Sequence, residues 1–131
     1  MSESSYEGRQ EHIPSLDTPE IENWAFQFPG SRTEIEIQVP EFTCICPKTG
    51  LPDFATISIR YRPKNSCIEL KSFKEYILFY RPLGIFHEHV VNLMLRDLVK
   101  ACDPEWMEVR GIFNPRGGIQ TTAVATYGET P

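Results

Sequence analysis

The chain has 131 residues, a formal net charge of −5 and 40 % hydrophobic residues. That is enough for one domain with a real core and too little for two. The acidic balance argues against broad nucleic-acid binding, and no apolar run approaches the roughly 20 residues that span a membrane. The first twelve residues, MSESSYEGRQEH, lack the apolar centre of a signal peptide, so a cytoplasmic protein is expected. In that setting the four cysteines are expected to be free, metal-bound or catalytic rather than disulfide-bonded.

Residues 1–20 are rich in Ser, Glu and Pro without an apolar period and read as a disordered tail before a single domain over 21–131. In TEIEIQV, Ile35, Ile37 and Val39 alternate with Glu34, Glu36 and Gln38, a half-buried strand that Pro40 is expected to end. The loop TCICPKTGLPDF follows, punctuated by Pro47, Gly50 and Pro52. FATISIRYR (54–62) is a second strand, and CIEL (67–70) a short extended piece. KSFKEYILFYR (71–81) brings Phe73, Tyr76, Ile77 and Tyr80 near helical spacing, stopped by Pro82 and Gly84. Val91, Met94, Leu95, Leu98 and Cys102 form the stripe of a longer helix that ends at Asp103 and Pro104. WMEVRGIF (106–113) and IQTTAVATY (119–127) are two further strands around the turn Pro115, Arg116, Gly117, Gly118. Two strands, two helices and two strands indicate an α+β fold, an antiparallel sheet carrying both helices on one face. Its outer strands would have unpaired edges, which pairing between subunits of a homo-oligomer would cover.

Cys46 and Asp53 flank a loop that a Gly and a Pro can fold back, so a thiolate nucleophile and a proton-donating carboxyl are one reading of it. Lys48 and the backbone N–H groups of the turn can lower the thiol pKa, and a buried structural cysteine is the bland alternative. A zinc site from Cys44, Cys46, His87 and His89 has poor spacing, because two residues apart on a helix the histidines point about 200° apart. Glu88, beside His87 at the start of the long helix, either complements the helix dipole or accepts paired N–H donors from a guanine-like edge. Glu69, between Ile68 and Leu70, is a second carboxylate that would need a partner if buried. Lys71, Ser72 and Lys74 sit at a helix start where anions are favoured, and Arg116 beside Gly117 and Gly118 has similar potential for a phosphate. Each of these also reads as a solvated face or a plain turn.

Taken in order, CPKTGLPDF, ELKSFKEY, FHE and PRGG resemble the NADPH-dependent 7-cyano-7-deazaguanine reductases, from about Phe42 to about Tyr127. The resemblance implies the tunnelling fold (T-fold), with sheets joined into an oligomeric barrel and active sites between subunits. It implies reduction of a nitrile to a primary amine with NADPH in queuosine biosynthesis, a tRNA modification, without a metal. By position, Cys46 would form a covalent thioimide and Asp53 would protonate the nitrile nitrogen. Ile68, Glu69, Leu70, His87 and Glu88 would hold the deazaguanine. Leu70, Lys71, Ser72, Lys74, Arg116 and Gly117 would hold the cofactor. Leu70 stands where many members have Ser, so it is expected to act through its backbone. The chain has no Gly-X-Gly-X-X-Gly pattern, so the nicotinamide cofactor rests on the resemblance alone. The alternatives are a zinc-dependent purine or pterin hydrolase-like enzyme of the same fold, and a non-catalytic purine-binding oligomer.

Overall fold

Four antiparallel strands carry the domain in the computed structural model, which describes residues 10–129. Strand β1 is Asn23–Ala25, β2 Ile35–Ile45, β3 Pro52–Arg62 and β4 Ser66–Ile68; helix α1 is Leu70–Leu78 and α2 His87–Cys102; β5 is Trp106–Phe113 and β6 Thr122–Gly128. The main sheet runs β2-β3-β5-β6, every pairing antiparallel, and β1 pairs with β4 in a separate two-stranded ribbon.

The period of two in β3 decides the faces. Ala55, Ile57, Ile59 and Tyr61 are buried, with the polar residues between them on the other side. Both helices join the core on that buried side: Phe73, Tyr76 and Tyr80 from the α1 region, and Val90, Val91, Met94, Leu98 and Cys102 from α2. The stripe read along α2 is therefore the packed one, widened by Val90 and Leu93. Off that stripe, Asp97 on α2 accepts the buried Tyr76 hydroxyl at 2.6 Å and the Thr18 hydroxyl at 2.9 Å.

Three sequence expectations change. Pro40 does not end β2. The strand continues to Ile45 with a register shift between Val39 and Phe42, where two residues of β2 face one of β3. This extra residue switches parity, so Ile35, Ile37 and Val39 before it and Phe42 and Cys44 after it all point to the core side. Pro40 is tolerated because β2 is an outer strand at a bulge, where a missing N–H breaks no ladder. The helix over 71–81 is shorter, ending at Leu78, and β6 begins at Thr122 rather than Ile119. The first strand, β1, carried too short an apolar pattern to be read.

The expected tail also differs within the described residues. Residues 13–15 form a 3₁₀ turn, Ile13 is 3 % exposed and Gln10 is 8 % exposed. Arg96 of α2 donates to the carbonyls of Pro14 and Leu16, so this segment is fastened to α2 by side chains that its own polar sequence does not reveal. The part of the expected tail before residue 10 lies outside the described residues.

Gly111 in the middle of β5 has a packing reason. A Cβ there would stand 2.8 Å from the Phe113 ring and 3.2 Å from Val91 of α2. Its absence lets α2 lie close on the sheet. Gly111→Ala is expected to cost about 1–3 kcal/mol through overpacking, read as an earlier midpoint in urea denaturation.

Candidate active site

The loop between β2 and β3 is closed by its own backbone. The Cys46 N–H donates to Leu51 O at 2.8 Å and the Gly50 N–H to Cys46 O at 2.9 Å. Gly50 takes φ +72°, which other residues adopt at a cost, and so completes the turn that presents Cys46. Burial alone would raise the Cys46 thiol pKa. The Thr49 hydroxyl and the backbone N–H groups of Thr49 and Lys48 more than offset it, and the pKa falls below that of an ordinary cysteine. Hydrogen bonds to the charged form favour that form, so thiolate persists to lower pH. The iodoacetamide alkylation rate of Cys46 is expected to titrate below a free thiol, and Thr49→Val is expected to move that midpoint upward.

The other cysteines are unlike it. Cys44, two residues back on the core side of β2, is fully buried and pushed up to about 12 by burial first and then by the Asp53 and Cys46 charges. Cys102 is pushed up to about 12, chiefly by burial, and Cys67 is raised by burial too. All four are free thiols.

Asp53 lies opposite Cys44 in the β2–β3 ladder and is 5 % exposed. A buried carboxylate requires partners. Arg116 Nη1 lies 2.6 Å from its Oδ1, and His87 Nε2 lies 3.1 Å from its Oδ2. Arg116 comes from the turn after β5, where Gly117 and Gly118 both have positive φ, 60° and 79°, as a two-residue reversal between Arg116 and Ile119 requires. His87 opens α2, and its ring stacks on Phe113 of β5 at 3.7 Å and 9°.

These pieces line one open cavity of about 500 Å³: Cys46, Thr49, Asp53, Phe86, His87, Glu88, with Arg116 and Gly117 at its rim. Glu88 is exposed there, and its carboxylate makes no hydrogen bond among the described residues, so both oxygens are available to a ligand. Phe54 follows Asp53 in β3. It is 53 % exposed on the opposite face of the sheet, as strand alternation demands, and only Phe86 lines the cavity. Thr49, Phe113 and Asn114 were not anticipated; the threonine inside Cys-Pro-Lys-Thr-Gly was the one available signal.

The remaining site candidates lie elsewhere on the chain. Ile68 ends β4 in the core. Glu69 caps α1, accepting from the Lys71 N–H at 2.7 Å and the Ser72 N–H at 2.8 Å, and those donors hold its pKa below the usual carboxylate range. Two of the N–H groups offered to a phosphate at this helix start are thus taken by Glu69. The Ser72 hydroxyl accepts from the Glu22 N–H, while Lys71 and Lys74 are exposed. Leu70, 59 % exposed, shares with Lys74, Phe73 and Ile77 an apolar groove of about 310 Å³ along β2. None of these six lines the Cys46 cavity in the same chain. Among the described residues no three His, Cys, Asp or Glu side chains group as metal ligands. His87 turns to Asp53 and His89 to Gln10. No helix among the described residues is long and apolar enough to cross a membrane.

Two helices cover one face of this antiparallel α+β sheet, and a thiol of lowered pKa and a buried carboxyl share one cavity beside it. The model of the QueF-like protein family matches residues 52–131, and the chain belongs to that family. An NADPH-dependent 7-cyano-7-deazaguanine reductase of Nitrosococcus oceani is 50 % identical over 115 residues, 88 % of this chain and 89 % of that protein. The reductase of the same name from Elusimicrobium minutum is 51 % identical over 109 residues, 83 % of this chain and 82 % of that protein. The crystal structure of the archaeosine synthase QueF-Like in the apo form superposes with a TM-score of 0.71 at 23 % identity, covering 77 % of this chain and 99 % of that one, a likeness of fold.

Proposed function

We propose that this chain is an NADPH-dependent oxidoreductase that reduces the nitrile of 7-cyano-7-deazaguanine to the primary amine 7-aminomethyl-7-deazaguanine, in queuosine biosynthesis. One observation carries the reading beyond the relatives' names. Cys46, with its lowered pKa, and Asp53 share a cavity with the free carboxylate of Glu88.

The nitrile carbon is electrophilic but a poor hydride acceptor. The Cys46 thiolate adds to it while Asp53 gives a proton to the nitrogen, leaving a thioimide. His87, 3.1 Å from Asp53, is placed to return a proton to the carboxylate. Bound NADPH supplies a hydride, twice per nitrile. Between the two additions Cys46 departs as thiolate and an imine remains. One nitrile, two NADPH and two protons give one amine and two NADP⁺, so four electrons balance. Phe86 helps keep water from the thioimide, which would otherwise hydrolyse. Glu88 accepts paired N–H donors of the deazaguanine.

The cofactor fits the open side of this cavity. Arg116 offers a guanidinium, and a Cβ added at Gly117 or Gly118 would meet nothing within 4 Å, so phosphate oxygens can approach the backbone there. In our reading Leu70, Lys71, Ser72 and Lys74, with Ile68 and Glu69, complete the site from a neighbouring subunit. The two outer strands, β2 and β6, would then join between copies into the T-fold barrel. Four free thiols suit a reducing cytoplasm.

The direct test is NADPH oxidation with 7-cyano-7-deazaguanine. Two NADPH consumed per amine formed is the expected stoichiometry, and purified oligomer that consumes none would end the reading. Site sharing has its own test. Cys46→Ala and Lys71→Ala/Lys74→Ala, each with little activity, are expected to regain activity when co-assembled, since a mixed interface contains one intact site. Mixed oligomers as inactive as their parents would place the whole site within one chain.

A further inference from the structure

Gln10 is buried against the segment that leads into the cavity, and it uses both ends of its amide. Its Nε2 donates to Gly84 O at 3.3 Å, and its Oε1 accepts from the Phe86 N–H at 3.1 Å. A carbonyl only accepts and a backbone N–H only donates, so these two contacts fix which end of the amide is which. The same Oε1 lies 2.7 Å from His89 Nδ1, which must then carry a proton. His89 in turn lies beside the Phe86 ring, centroids 6.0 Å apart.

The braced segment reaches the site on both sides. Ile45, the residue before Cys46, donates its N–H to Leu83 O at 2.9 Å and accepts from the Ile85 N–H at 3.1 Å. Phe86 is the N-cap of α2 and has no side-chain cap bond of its own, and His87 and Glu88 form the first turn. Removing the Gln10 amide would leave the half-buried Phe86 N–H, Gly84 carbonyl and His89 without this partner.

We propose that Gln10 is a positioning residue: it holds 84–86, and through it aims Phe86, His87 and Glu88 at the bound substrate. This rests on the function proposed above. A side chain acting through orientation of binding groups should weaken substrate binding more than the chemical step.

The experiment compares the full-length wild type with Gln10→Met, which keeps volume and loses the hydrogen bonds of the side-chain amide, and Gln10→Glu, which keeps the acceptor. For Gln10→Met the KM for 7-cyano-7-deazaguanine is expected to rise about tenfold with kcat within about twofold. Gln10→Glu is expected to recover part of that loss. Hydrogen exchange of the Phe86 amide, followed without substrate, is expected to quicken in Gln10→Met. Unchanged KM and exchange would overturn the proposal. So would a fall in kcat with KM unchanged, which would mark general destabilisation. Wild-type protein without turnover would sink the function reading instead, and the exchange measurement would still decide whether Gln10 braces this segment.

Discussion

Cys46→Ala is expected to abolish covalent capture of 7-cyano-7-deazaguanine and to lower turnover by more than about 10⁴-fold, the scale on which an enzyme loses activity with its nucleophile. The measurement is intact-protein mass spectrometry after mixing with the nitrile in the absence of NADPH. Wild type should gain the mass of one ligand per subunit, and the variant none. The fold should survive, because Cys46 sits at the mouth of the cavity and the turn is held by backbone bonds to Leu51 and Gly50 that an alanine keeps. Cys44 is the internal control. It is as near in sequence, but burial holds its thiol up to about 12, so it stays protonated and unreactive in the variant. A persistent adduct in Cys46→Ala, or full turnover, would remove Cys46 from the mechanism.

Asp53→Asn is expected to separate proton delivery from binding. The amide keeps the shape of the carboxyl and an oxygen for Arg116, so the cavity lining persists. It has no proton to give to the nitrile nitrogen. General acid catalysis is typically worth 10²–10⁴-fold, so the adduct should still form in Asp53→Asn but slower by about that factor. The time course of the added mass, followed without NADPH, reads this directly. Adduct formation at the wild-type rate would assign the proton to another group, the first candidate being the His87 imidazole 3.1 Å from Asp53. Loss of the adduct together with early unfolding would instead show that the Arg116–Asp53–His87 cluster is mainly structural. His87→Phe distinguishes the two: it keeps a ring to stack on Phe113 and removes both ring nitrogens, including the Nε2 that faces Asp53.

The bulge in β2 shows how the fold serves the site. Without the extra residue at Pro40 and Glu41, Phe42 and Cys44 would leave the core side, and every residue beyond them would change face. With it, Cys44 is sealed in the core, and the chain leaves the sheet at Ile45 beside the 83–85 segment, so that Cys46 lines the same cavity as His87 and Glu88. Gly111 acts similarly from β5, since the Phe113 ring it accommodates is the one that carries His87.

Strand alternation and the apolar stripe of α2 are local patterns, written within a few residues, and they determined the α+β class, four of the eight elements nearly to their bounds and the face each buries. The Cys-Pro-Lys-Thr-Gly, Phe-His-Glu and Pro-Arg-Gly-Gly stretches also identified Cys46, Asp53, His87, Glu88, Arg116 and Gly117, and the structure brings all six to one cavity. What stayed hidden depends on partners distant in the chain. Pro40 reads as a stop because its missing N–H matters only if a neighbour needs it, and on an outer strand none does. The cap that Glu69 makes on α1 closes only when the first turn folds its N–H groups onto the carboxylate. Gln10 stands in a polar stretch that carries no apolar period, and its environment comes from Gly84, Phe86 and His89, more than seventy positions away. Periodicity reports what a residue buries against its own element, whereas a hydrogen bond closed by tertiary packing leaves no period, and only the folded chain decides it.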